Sequence, residues 1–312
     1  MIVTVTLNAS VDRAVRVPSL ERPGRVLAAE LLRVEPAGKG VNVSRSLSAL
    51  GVRSVAAGFV GRHELPHFRE SFRGTLVRCR LLPVDVHTRM NTSILPRSGS
   101  HEVHLREGGQ PLPPGALPAL RKVLCGLAGR RTVFVFAGSL PPGFSARAFA
   151  RLVEEAAGWG GGIVIDTSGP ALRAALSARP ALVKPNDSEL AELTGMPTGT
   201  VGEVLAAARS LLRHAKTVLV SRGRRGGVCV TAEGAWSARL GRGSGRVLNT
   251  VGAGDAFLAG WLAANWRGLP APDCLASAVA AGTANTLEPT AGRIDSAAYG
   301  RLLESVLIRA IA

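Results

Sequence analysis

The sequence predicts an α/β fold in which a mostly parallel central sheet is flanked by helices and carries a small, separate β-sheet. Short apolar runs at residues 2–7, 55–60, 132–136, 163–165, 182–183 and 218–220 alternate with longer amphipathic stretches, which is the rhythm of βαβ units. Residues 11–35 and 86–105 break that rhythm, alternating β-branched or apolar residues with Pro and Gly. A chain of 312 residues with 46% hydrophobic content can bury a substantial core, which favours a single domain over 1–312 with an appended sheet.

Each element follows from its own residues. The chain opens on Ile2-Val3-Thr4-Val5-Thr6-Leu7, a strand alternation without the basic-then-apolar order of a signal sequence. Segments 11–35 and 86–105 suit a small sheet joined to the main body at two points, able to close as a lid and exclude water; an ordinary edge hairpin fits the same pattern. A glycine turn, Gly38-Lys39-Gly40, precedes a helix over 43–50. The strand 132–136 runs into Ala137-Gly138-Ser139-Leu140-Pro141-Pro142-Gly143, a rigid turn. After 182–183 comes Lys184-Pro185-Asn186-Asp187-Ser188-Glu189, where Asn or Asp suits a helix cap and Glu189 falls in the first turn. From Gly252 to the end the pattern is helical, with small residues such as those of 276–282 that permit close packing or close approach to a ligand. There are no repeats and no low-complexity tail.

The formal charge of +16 raises polyanion binding, because clustered Arg and Lys neutralise phosphates. Here the charge is dispersed, and aromatics at 4% leave little to stack on bases. Small-molecule phosphate is therefore the better partner, and nucleic acid is not expected. Only Lys39, Lys122, Lys184 and Lys216 are lysines among 38 basic residues, and two of these four lie inside the turns just described. Cys79, Cys125, Cys229 and Cys274 are far apart, with neither CxxC nor metal-ligand spacing. No apolar run approaches the roughly 18 to 20 residues of a membrane span, so no membrane association is expected and a cytoplasmic protein is.

The strongest chemical signal is Asn249-Thr250-Val251-Gly252-Ala253-Gly254-Asp255-Ala256-Phe257 at the head of a helical pattern. Gly252, Ala253 and Gly254 let backbone NH groups approach an anion where the helix dipole favours negative charge, forming a hole for charge on a transferred phosphoryl group. Asp255 in that first turn could be no more than a favourable helix-start carboxylate. Beside a phosphate cradle it is also placed to accept a hydroxyl proton. Gly38, Lys39 and Asn42 offer backbone approach, a cation and an amide, without forming a Walker A sequence. Asp12 can accept two sugar hydroxyls. Arg89, beside Asn91, and Arg25 suit bidentate phosphate recognition, and Ser139 can face a ligand from its turn. Asn186 and Glu189 could hold hydrated Mg²⁺ through an amide and a carboxylate.

Together these stretches resemble the phosphofructokinase-B family of ribokinase-like carbohydrate kinases, in the expected order over nearly the whole chain. Residues 8–12, the GKGVN stretch from Gly38, GSLPPG from Gly138, DTSG from Asp166 and KPNDSE from Lys184 are most similar to the 1-phosphofructokinase and tagatose-6-phosphate kinase branch. The resemblance implies a ribokinase-like fold and ATP- and Mg²⁺-dependent phosphorylation of a ketohexose monophosphate, fructose 1-phosphate first. Tagatose 6-phosphate, fructose 6-phosphate, another sugar or a nucleoside are alternative acceptors, and an inactive sugar- or nucleotide-binding regulator is the alternative of another kind. It makes Asp255 the base and Gly252 to Gly254 the anion hole. Asp12, Gly38, Lys39 and Asn42 would hold the sugar, with Arg89, Ser139, Arg25 and Lys39 near its phosphate. Lys184, Asn186, Ser221, Gly223 and Gly226 would line the ATP site, with Gly282 under the adenine. Asn186 and Glu189 would organise Mg²⁺, and the lid would pair two subunits into a homodimer. Ala37, residues 106–110 and residues 63–66 depart from the family pattern, and the Arg222, Arg224 and Arg225 cluster is unusually basic.

Overall fold

The computed structural model describes residues 1–20, 26–98, 102–241 and 245–312. Strand β1 (Ile2–Thr6) leads into β2 (Ser10–Val17) and β3 (Glu30–Ala37), then helix α1 (Lys39–Ala49), β4 (Ser54–Gly61), α2 (Leu65–Ser71) and β5 (Val77–Val84). Next come β6 (Arg89–Pro96), β7 (Val103–Arg106), α3 (Ala116–Gly126), β8 (Val133–Ala137), α4 (Ala146–Gly158), β9 (Gly162–Asp166) and α5 (Gly169–Ala175). The second half runs β10 (Leu182–Val183), α6 (Asp187–Thr194), α7 (Val201–Ser210), β11 (Thr217–Ser221), β12 (Gly227–Thr231), β13 (Ala235–Leu240), α8 (Ala253–Trp266), α9 (Ala271–Thr286), α10 (Ser296–Glu304) and β14 (Val306–Ala310).

Ten strands form one sheet in the order β14-β13-β12-β11-β10-β9-β8-β1-β4-β5. Pairing is parallel from β5 through to β11 and antiparallel from β11 to β14. All five residues of β1 are buried, as helices on both faces require. Alternate residues feed two cores: Val3, Val5, Phe134 and Phe136 pack with α3 to α7 on one face, and Ile2, Val135 and Ala137 with α1, α8 and α9 on the other. Helix α8 is buried almost all round because Gly260 lets α9 press against it: a Cβ there would lie 2.4 Å from the Ser277 carbonyl oxygen.

The four remaining strands form the expected second sheet, in the order β3-β2-β6-β7, with β2 and β6 parallel. Its register sorts side chains by face, since directly opposed residues project the same way. Glu35, Asp12, Asn91 and Arg106 occupy one cross-strand row, on the face turned to the main body. Leu31, Val15, Ile94 and Val103 occupy a row on the opposite face.

The six strands read from apolar runs are present, and three details differ from expectation. The chain after Gly252 is not helical throughout, because residues 306–310 form β14 against β13; a five-residue apolar run carries no period of its own. Strands β5, β12 and β13 had not been read. Helix α1 begins at Lys39, not 43, so Lys39, Gly40 and Asn42 lie within its first turn behind Gly38 at φ 126°. Gly40 is pressed on β1, where a Cβ would meet Thr6 Oγ1 at 2.4 Å. No helix among the described residues is long and apolar enough to cross a membrane.

Candidate active site

The candidate residues converge where β1, β8, β9 and β10 end and α1, α6 and α8 begin. Gly252 caps α8 at φ 84°, a conformation that favours glycine, and a Cβ there would crowd Ala291 at 2.7 Å. Asn249 Oδ1 accepts the Val251 NH at 2.9 Å, shaping the approach to this turn. Asp255 follows in the first turn of α8 and is buried. Its Oδ2 accepts a hydrogen bond from Asn42 Nδ2 at 2.8 Å. Burial, then the negative charge of Asp166, pushes the Asp255 carboxyl up to about 6, against the opposing pull of Lys39, Asn42 and Lys184.

Asp166 ends β9 and is fully buried. Lys39 Nζ and Lys184 Nζ both donate to its Oδ1, at 3.1 and 3.2 Å. Burial opposes its charge, but Lys184 and Lys39 outweigh that and hold the carboxyl below its ordinary value. Lys39 is held well above the ordinary lysine value, first by Asp166 and further by Asp255 and Glu189. Two cations are thereby fixed around one carboxylate beside Gly254, whose added Cβ would lie 3.8 Å from Lys184 Nζ. Asp166 Oδ2 is buried with no hydrogen-bond partner among the described residues, an unused acceptor in a cationic site.

Toward the small sheet, Asp12 Oδ1 accepts from Asn91 Nδ2 at 2.8 Å and Ser10 Oγ at 3.0 Å. Asp12 and Asn42 line one hollow with Arg33, Glu35 and Arg45, between the small sheet and α1. Arg89 spends part of its fork on the backbone, donating from Nε and Nη2 to Asn8 O and from Nη1 to Glu107 O. Asn8 Nδ2 donates in turn to Ser139 Oγ, Gly108 O and Leu140 O. Arg89 and Ser139 are thus joined through Asn8, and the 106–110 stretch packs onto the same residue. Gly138, at φ 107°, faces the Lys39 side chain. Arg25 lies outside the described residues.

At the start of α6, Asn186 and Glu189 form a reciprocal capping box, each side chain accepting the other's NH at 2.8 Å. Asn186 bridges Ser221 in parallel, and the Ser221 NH donates to Pro185 O, so α6 and the turn after β11 start side by side. Gly223 has open space around it, whereas a Cβ on Gly226 would overlap Ala238 O. Gly282 packs against the first turn of α8, where a Cβ would lie 3.1 Å from Ala253 O. Asp166 is the site residue that sequence reasoning, placing it only in the DTSG stretch, does not assign. Its position at the carboxyl end of a parallel strand was the available signal.

The model of the pfkB family of carbohydrate kinases matches residues 5–296. The chain is 32% identical over 311 residues to the 1-phosphofructokinase of Haemophilus influenzae, covering 99% of this chain and 98% of that one. It is 35% identical over 296 residues to the 1-phosphofructokinase of Rhodobacter capsulatus, covering 92% of each. Among solved structures, phosphofructokinase-2 from Escherichia coli in complex with potassium superposes with a TM-score of 0.90 at 26% identity, over 97% of this chain and 98% of that one.

Proposed function

Since the chain belongs to the pfkB family of carbohydrate kinases and is a phosphotransferase, we propose that it transfers the γ-phosphoryl group of ATP to a ketohexose monophosphate. Fructose 1-phosphate is the acceptor we assign, giving fructose 1,6-bisphosphate, because full-length relatives at 32 and 35% identity carry the name 1-phosphofructokinase. The observation that carries the chemistry is Asp255: a buried carboxyl raised to about 6, hydrogen-bonded to Asn42 and seated beside the glycine-capped start of α8.

Asp12, Asn91 and Asn42 hold the sugar hydroxyls, and Asn42 keeps Asp255 aimed at the hydroxyl that attacks. Asp255 takes that proton as the oxygen closes in line on the γ-phosphorus. The NH groups of the Gly252–Gly254 turn, with Lys39 and Lys184, meet the charge spread over the transferred oxygens. Arg89 and Ser139, joined through Asn8, face the acceptor's own phosphate. Lys184, Asn186, Ser221, Gly223, Gly226 and Gly282 border the nucleotide.

Mg²⁺ bound with the nucleotide offsets phosphate charge and needs only one or two protein carboxylates. Glu189 Oε1, which the capping box does not use, and the unpartnered Asp166 Oδ2 fit that demand; Asn186 Oδ1 is spent on the Glu189 NH. The small sheet serves as a lid over the sugar, and the exposed Leu31 and Val103 on its outward face support pairing with a second copy of the chain. Leu31 is 59% exposed and Val103 38%, an apolar edge that a partner lid would cover.

The test is ADP release with MgATP against fructose 1-phosphate, tagatose 6-phosphate, fructose 6-phosphate, fructose, ribose and a nucleoside. Preferential turnover of fructose 1-phosphate, lost by about two orders of magnitude or more in Asp255→Asn, is expected. Turnover of that variant near the native rate would remove Asp255 as base, and preference for another acceptor would replace the substrate.

A further inference from the structure

The basic turn after β11 is bound to the start of α6 by a single carboxylate. Asp187 follows Asn186 and precedes Glu189 by two residues. Arg222 Nε donates to Asp187 Oδ1 at 2.9 Å and Arg225 Nη2 to Oδ2 at 2.5 Å, so each carboxylate oxygen holds one arginine. The same guanidinium groups continue to a third segment: Arg222 Nη2 donates to Thr198 O at 3.3 Å and Gly199 O at 3.0 Å, and Arg225 Nη1 to Gly199 O at 2.8 Å. The Arg222 side chain is 3% exposed and that of Asp187 17%. A backbone hydrogen bond from the Arg222 NH to Gly226 O closes the turn.

Burying an ion pair gains little stability over an apolar contact, because desolvation consumes most of the attraction. Its distinctive effect is geometric, since a planar fork on a carboxylate fixes distance and orientation together. Here that geometry fixes the turn carrying Ser221, Gly223 and Gly226 relative to the helix start carrying Asn186 and Glu189. Two of the three arginines in this basic turn are thereby committed to contacts within the protein, Arg222 buried and Arg225 half exposed, and Arg224 alone of them has no ion pair among the described residues.

We infer that Asp187 is a positioning residue for the nucleotide, acting through Arg222 and Arg225 to hold the 221–226 turn and Glu189 as one rigid unit around the phosphates. The inference rests on the reading that places ATP between these two segments. It predicts that loosening the clamp weakens ATP specifically, because neither Asp12, Asn42 nor Asp255 touches it.

The experiment is steady-state kinetics with ATP and fructose 1-phosphate on Asp187→Ala, Arg225→Ala and the double variant, with Gly223→Trp alongside. Each single variant should raise the KM for ATP about ten-fold, the double no further than the worse single, with the acceptor KM and saturated kcat within about two-fold. Arg225 is half exposed, so its replacement reports on the clamp even where Asp187→Ala folds poorly. An unchanged ATP KM in Arg225→Ala, or an acceptor KM rising in step with it, overturns the proposal. Gly223→Trp separates the two layers, since it fills the open space at the turn. If it raises the ATP KM and the clamp variants do not, the positioning proposal falls and the nucleotide reading stands. If it leaves the ATP KM unchanged, the nucleotide reading falls and the proposal with it.

Discussion

Asn42 donates its Nδ2 hydrogen to Asp255 Oδ2 at 2.8 Å across 213 residues of chain, so the first turn of α1 aims the carboxylate at the start of α8. Both residues are buried. The bond occupies one oxygen of the carboxylate; on the proposed reading the other meets the substrate hydroxyl. Asn42 Oδ1 is itself buried and without a hydrogen-bond partner among the described residues, a second acceptor that the same reading gives to the sugar.

A carboxylate works as a base only when ionised, and the Asp255 carboxyl of the free protein is raised to about 6 by burial and by Asp166. If Asp255 is the base, kcat/KM for the acceptor should therefore fall as pH drops through about 6, ten-fold per unit once well below it. A pH profile of kcat/KM checks this. An acid limb near the ordinary carboxylate value of 3.8 would show that burial does not perturb the group in the free enzyme.

Asp166→Asn should move that acid limb downward. The substitution removes the nearest like charge and leaves Lys39 and Lys184 uncompensated, and both effects favour ionised Asp255. The cost falls on the fold, because removing one partner from a buried ionic group destabilises by about 3 to 5 kcal/mol. Thermal melting and the kcat/KM profile of the same variant test both halves; an unmoved limb would mean that Asp166 does not act on Asp255.

Arg89→Ala should raise the acceptor KM at least ten-fold while leaving the ATP KM within about two-fold. The guanidinium still has donors beyond those given to Asn8 O and Glu107 O, and these suit a phosphate. An unchanged acceptor KM would point to a neutral sugar. Part of the loss is structural, because Arg89 also ties Asn8 to the 106–110 stretch; Asn8→Ala gauges that share.

Leu31→Arg with Val103→Arg should leave a monomer in light scattering, whereas the proposed pairing predicts a dimer for the native chain. Both positions lie on the outward face of the small sheet, where two charges oppose burial against a second copy. A native chain that is monomeric at micromolar concentration would instead leave the lid to close without a partner.

The parallel strands from β4 to β11 were legible because they are continuous apolar runs, a pattern imposed by helices on both faces, whereas β5 at the parallel edge, interrupted by Arg78 and Arg80, was not. Strands β12 to β14 were less so: they sit at the antiparallel edge, and Arg239 and Arg309 interrupt the apolar signal. The Gly252–Asp255 turn could be read because its meaning is local, resting on a positive-φ glycine and a helix start. The start of α1 at Lys39 could not, since what admits that turn is the contact of Gly38 and Gly40 with Thr6.

By itself, the sequence determined the alternation of strands and helices, the glycine-marked helix starts and the residue types offered at each strand end. These follow from side-chain period, backbone φ and capping, which act over a few residues. Only the tertiary structure decided that Lys39 and Lys184 share Asp166, that Asn42 holds Asp255, and that Asp187 clamps Arg222 and Arg225. Charge coupling depends on distance and burial, and residues far apart in sequence acquire both only when the sheet brings its strand ends together.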